Sequence, residues 1–108
     1  SEMCIRDRFH EMCCRFPKAK IVLTLGSDGA VYGANGQTYR QPIFPVHAVD
    51  TTAAGDTFTG YFLAGLVEGL PVEQLLRMSA KASSIAVTRE GAVPSIPYRS
   101  EVEEALKQ

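Results

Sequence analysis

The feature that most limits how this chain can fold is a change of apolar period near its middle. Upstream, Ile21, Val22, Leu23, Thr24 and Leu25 form a nearly continuous aliphatic run. Such a run suits a buried strand covered on both faces, as in a parallel sheet flanked by helices. Gly26 and Gly29 then bracket a tight turn, and Ala30–Ala34 with Gln37–Gln41 reads as a hairpin closed at Asn35-Gly36. After Pro42, residues 43–49 are extended but kept irregular by Pro45. From Gly55 the spacing of Phe58, Phe62 and Leu66 becomes helical.

That helix is expected to run to about Glu68, where Gly69 ends it and Pro71 sits in the first turn of the next. The second helix places Val72, Leu75, Leu76, Ser79, Ala82, Ser83 and Ala86 on one face, and its small residues imply close packing. Gly91 and Pro94 close it, Pro97 breaks a short loop, and residues 101–106 form a last helix. At the other end, Phe9 to Phe16 reads as the end of a helix that Pro17 stops. The fold class is α/β.

Bulk composition narrows the function. The 108 residues are enough for one domain or less, and 45% hydrophobic with 21% charged residues is ordinary for a water-borne globular chain. No apolar run approaches the roughly 20 residues of a membrane span. A net charge of -1 offers no basic surplus, so neither nucleic acid nor a membrane is expected as a partner. Cys4, Cys13 and Cys14 form no metal-binding spacing, and free thiols in a reducing cytoplasm are expected. His10 and His47 are isolated. The chain opens at Ser1 without an initiator methionine, so a missing upstream segment is expected. Its first octet, Ser1 to Arg8, resembles translated sequencing-adapter sequence and is set aside from the fold.

The densest chemical signal is Asp50-Thr51-Thr52-Ala53-Ala54-Gly55-Asp56-Thr57-Phe58, between an extended segment and a helix start. Small residues there expose consecutive backbone N–H groups at the positive end of a helix dipole, which suits a phosphate or oxyanion. A carboxylate beside such a site, Asp56, fits a base that takes a proton from an attacking hydroxyl. On the residues alone, Asp56 is equally well explained as a helix cap. No Walker A loop occurs.

The stretch DTTAAGDTF resembles the C-terminal signature of the ribokinase-type, or PfkB-type, carbohydrate kinases, and the likeness extends from about Ala19 to Tyr98. Thr24-Leu25-Gly26-Ser27-Asp28-Gly29 is similar to that family's nucleotide-binding strand and turn. Ala86 to Ser95, AVTREGAVPS, resembles its monovalent-cation loop. The resemblance implies that residues 9–108 are the C-terminal part of such a kinase domain, a three-layer α/β/α fold with a mostly parallel sheet. It implies that Asp56 is the general base acting on a sugar's primary hydroxyl, and that Ala53, Ala54 and Gly55 supply anion-hole amides. Thr24, Leu25, Gly26, Ser27, Asp28 and Gly29, with Gly55 and Asp56, would bind ATP. Asp50, Thr52, Ala86, Arg89, Gly91 and Ser95 would surround potassium.

Magnesium is implied with the ATP, although the family's magnesium-associated positions and sugar clamp would lie upstream. The AAGDTF form leans toward the ribose-phosphorylating branch over fructose, nucleoside or ketodeoxygluconate kinases. A noncatalytic nucleotide-binding fragment is the alternative of another class. The resemblance allows a homodimeric complete enzyme. Ala80 is apolar where some members carry a polar side chain against adenine.

Overall fold

In the computed structural model, residues 2–91 and 96–107 are described. The order is α1 (Glu2–Arg15), β1 (Ile21–Thr24), a single 3-10 turn (Gly26–Asp28), β2 (Ala30–Ala34), β3 (Gln37–Gln41), α2 (Ala54–Glu68), α3 (Val72–Val87) and α4 (Arg99–Leu106). Helix α1 therefore begins inside the octet set aside from the sequence reading and covers more than the expected 9–16.

The three strands form one sheet in the order β1-β2-β3, both pairs antiparallel. Parallel pairing was expected for β1, and the described residues contain none. The cause is local. Only five residues separate β1 from β2, whereas a crossover to a parallel neighbour needs a dozen or more. Leu25 N–H donates to the Gly29 carbonyl at 2.7 Å, and Gly26 and Gly29 take φ of +57° and +91°, reversing the chain on the spot. The second hairpin turns at Asn35 and Gly36, φ +54° and +77°, the pair of positive values that a tight two-residue turn demands.

The aliphatic run of β1 is explained by cover on both faces of this antiparallel sheet. Alternate residues Ala30 and Tyr32 face the helices, and Val22 and Tyr39 pair across the strands from Tyr32. They meet Phe58, Phe62, Leu75 and Leu76, with the Tyr32 and Phe62 rings 5.8 Å apart. Burying a leucine such as Leu75 contributes about 1.5–3 kcal/mol. The opposite face presents Gly33, where a Cβ would fall 2.9 Å from Phe9 Cζ and 2.7 Å from Cys13 Sγ; the glycine is what lets α1 lie so close. Cys13 and Cys14 are free thiols.

Helix α2 ends at Gly69 in the left-handed conformation, φ +79°, with its N–H returned to the Leu66 carbonyl at 3.1 Å. Pro71 stands at the N-cap of α3. The two helices pack closely because a Cβ at Gly65 would collide with Leu75 Cδ1. Helix α4 is fastened by Val102, which is fully buried beside Met78 and Ala82, and by Tyr61 Oη donating to the Pro97 carbonyl at 2.6 Å. Residues 42–48 have no regular structure, as Pro45 led one to expect. Among the described residues no helix is long and apolar enough to cross a membrane. Pro94 lies outside the described residues.

Candidate active site

The first turn of α2 is built by Thr51, whose carbonyl accepts the Ala54 N–H at 3.2 Å, and by Ala53, whose carbonyl accepts that of Thr57 at 2.9 Å. Of the three amides expected to form an anion hole, the one on Ala54 is thus engaged within the turn. Among the described residues, those of Ala53, Gly55 and Asp56 have no acceptor, and Gly55 has open space where a side chain would project. These are the orphan donors every helix start leaves.

Of these three residues, Gly55 lines a cleft of about 530 Å³, beside Ala54, and Ala53 and Asp56 do not. Thr24, Gly26 and Gly29 line one side of it and Ala54 and Gly55 another, so the glycine turn and the helix start, some thirty residues apart, meet on one cavity. Leu25 and Asp28 belong to the same turn without lining the cavity, and of Ser27 only the backbone is described. Asp56, next in sequence to Gly55, is exposed and lines a second groove of about 310 Å³, which it shares with Thr57, Tyr61 and Arg99. A carboxylate at the boundary of two cavities can serve a reactant in one while a phosphate lies in the other.

Ala80, which the resemblance set against adenine, lines the cleft, and the sequence reading missed the rest. Ser83, Ser84 and Val87 of α3 and Phe44 and Val46 of the irregular segment also line it. The signal was present in the small residues of α3 at spacings of three and four, which were assigned to packing alone. Ser83 does both, since its Oγ donates to the Ala54 carbonyl at 3.1 Å.

The residues expected around a cation divide into two groups. Asp50 is drawn to Thr52 and Gly91: Oδ1 accepts the Thr52 N–H at 2.9 Å and a short bond from Thr52 Oγ1, and Oδ2 accepts the Gly91 N–H at 3.2 Å. Those bonds, the Thr52 hydroxyl foremost, hold its carboxyl below the usual carboxylate range. The Val87 carbonyl accepts the N–H groups of both Val49 (2.7 Å) and Asp50 (3.0 Å), so this junction is sewn to the end of α3.

Ala86 is buried in α3, with its carbonyl accepting Arg89 N–H at 3.1 Å. The Arg89 guanidinium turns away to Glu101 at 2.5 Å. Ser95 lies outside the described residues. Three of the roughly four lone-pair positions of the Asp50 carboxylate are taken, leaving one for an ion. The one carboxylate at this junction is a hard oxygen ligand of the kind that suits a hard cation.

An antiparallel sheet backed by helices, with a glycine turn and a helix start opening on one cleft, defines an α/β domain. The pfkB family carbohydrate kinase profile matches residues 5–99, and the chain belongs to that family. It is 44% identical over 88 residues to the ribokinase of Bacillus subtilis, covering 82% of this chain and 30% of that protein. It is 48% identical over 84 residues to the ribokinase of Schizosaccharomyces pombe, covering 77% and 26%. The structure of Arabidopsis thaliana ribokinase complexed with ribose and ATP superposes with a TM-score of 0.86 at 38% identity, covering 94% of this chain and 33% of that one. The chain therefore spans about a third or less of the length of these relatives.

Proposed function

We propose that this chain is the C-terminal portion of a kinase that transfers the γ-phosphate of ATP to the primary hydroxyl of a sugar, ribose being the substrate. The observation that carries the reading is the meeting of the Gly26–Gly29 turn with the Ala54-Gly55 helix start on a single cleft. The likeness to ribokinases, one of them solved with ribose and ATP, supports the choice of sugar. The remaining strands, including the parallel ones, would belong to the rest of the domain.

In this reading the free amide of Gly55 points at a phosphoryl oxygen, and the preorganised dipole of the helix start favours charge that builds during transfer. Asp56 takes the proton of the attacking hydroxyl from the adjacent groove. Ser83 holds Ala54 so that the helix start does not shift under load. Asp50 with the carbonyls near Thr52, Ala86 and Gly91 would hold potassium, which when bound supplies a fixed positive charge behind the turn. Magnesium when bound with ATP offsets charge on the β- and γ-phosphates, and no residue of this chain is assigned to it.

The test is a coupled assay of the full-length protein with ATP and a panel of ribose, fructose, nucleosides and ketodeoxygluconate. Preference for ribose is expected. Turnover of another member of the panel alone would overturn the sugar, and no turnover of any would overturn the activity.

A further inference from the structure

One wall of the cleft is held differently from the others. The segment 42–48 is anchored at its ends, where Gln41 Nε2 donates to the Pro42 carbonyl at 2.9 Å and Val49 N–H to Val87 at 2.7 Å. Between those points, among the described residues, no hydrogen bond fixes residues 43–48. Ile43 and Val46 are each 43% exposed. The exception to this looseness is Phe44. Its ring lines the cleft and lies under the Lys81 ammonium, Nζ being 4.7 Å from the ring centroid. Lys81 stands on α3 between Ala80 and the Ser83-Ser84 pair, which line the same cavity.

The distance is within cation–π range, and the pairing costs the lysine little water because only the ring face is covered. The cleft is polar at the glycine turn and helix start but apolar where Phe44, Val46, Ala80 and Val87 meet. A ligand with a phosphate tail and an aromatic head would enter tail toward Gly55 and head toward Phe44. We propose that Lys81 and Phe44 form a tether that positions the 43–48 wall against the base of the bound nucleotide, so that nucleotide affinity depends on this pair. The proposal rests on the kinase reading for the identity of the ligand and on the geometry for the tether.

Two measurements on the full-length protein test it. The first is amide exchange across residues 43–48 without nucleotide. It is expected to speed up in Lys81→Met and in Phe44→Leu and to stay as in wild type in Lys81→Arg, which keeps the cation. The second is ATP binding by calorimetry with steady-state kinetics. Lys81→Met should weaken ATP binding about 2–5-fold, the worth of an exposed cation–π pair, and raise the KM for ATP with kcat unchanged. The Lys81→Met/Phe44→Leu double variant should be no worse than either single one.

Unchanged exchange would overturn the tether. Additive losses in the double variant, or a fall in kcat, would show that Lys81 acts directly on phosphate and would overturn the proposal. Faster exchange with unaltered ATP affinity would overturn the nucleotide half. If wild-type protein binds no ATP while exchange still responds, the kinase reading fails with the nucleotide half and the tether is upheld.

Discussion

The Asp50 carboxylate accepts the Gly91 amide at 3.2 Å across 41 positions of chain, tying the segment that leads into α2 to the loop that leaves α3. The same carboxylate caps Thr52, one residue before Ala53. This side chain thus joins the Val87 and Ser83 bonds in setting where the helix start stands relative to the end of α3. Loss of that side chain should disturb the donors of the anion site without touching any ligand.

The full-length enzyme is accordingly expected to turn over faster in potassium than in sodium or tetramethylammonium at equal ionic strength, and Asp50→Ala should abolish the difference. The effect belongs on kcat more than on the KM for ribose, because an ion beside Asp50 touches the turn and not the sugar. Equal rates in the three salts would refute the cation site.

Asp56→Asn keeps the shape of the side chain and removes its basicity. In the full-length protein it should lower kcat by roughly 10²-fold or more while ATP binding stays near wild type. Near-normal turnover, or a loss that merely follows loss of folded protein, would remove Asp56 from the reaction.

Gly29 has φ +91°, and a Cβ there would overlap the Gln41 carbonyl oxygen and lie 3.0 Å from Pro42 Cα. Both obstacles are backbone, which cannot swing aside. Gly29→Ala should destabilise the full-length protein by about 2–4 kcal/mol, from the positive-φ backbone that only glycine adopts freely and the overlap together. Gly36→Ala, with positive φ but open space around it, should cost less than Gly29→Ala. Equal denaturant midpoints for the two variants would contradict this account.

Acid should loosen the Asp50 junction. Its carboxyl is held low in the fold by Thr52 and Gly91, and that of Glu101 by Arg89, ahead of the Tyr98 amide. A depressed folded value means the stabilisation is fully present above the unfolded value of about 4 and is lost as pH falls through the folded one. The stability gap between wild type and Asp50→Asn should therefore be constant from pH 7 to about 5 and shrink below about 4. A gap that stays constant down to pH 2 would show that the carboxylate charge contributes nothing.

Much of this was legible from residue order. Asn35-Gly36, Gly69, Pro71 and the aliphatic spacing of α2 and α3 each announce a backbone event determined by neighbours in sequence. The antiparallel neighbour of β1 was not foreseen, because an aliphatic run reports cover on both faces and says nothing of which way its partner runs. The short Gly26–Gly29 link carried that information instead. At the site, DTTAAGDTF pointed to the helix start and the resemblance set Ala80 against adenine, but the wall from Phe44 with Ser83, Ser84 and Val87 could not be read. Their assembly depends on Ser83 and Lys81 facing α2 and the 42–48 segment in space. That Ala54 spends its N–H inside the turn also escapes the sequence, since it depends on where Thr51 directs its carbonyl.

The bond from Ser83 to Ala54 gives the cleft a hard side and a compliant one. Helices α2 and α3, packed at Gly65 and bonded again at their cleft-facing ends, should move as one block, while the Phe44 wall hangs from a ring and two end anchors. Nucleotides of different breadth should then be accommodated by shifts of residues 43–48 alone. Crystal structures of the full-length protein with ATP and with a bulkier base analogue would superpose on α2 and α3 and part only along that wall.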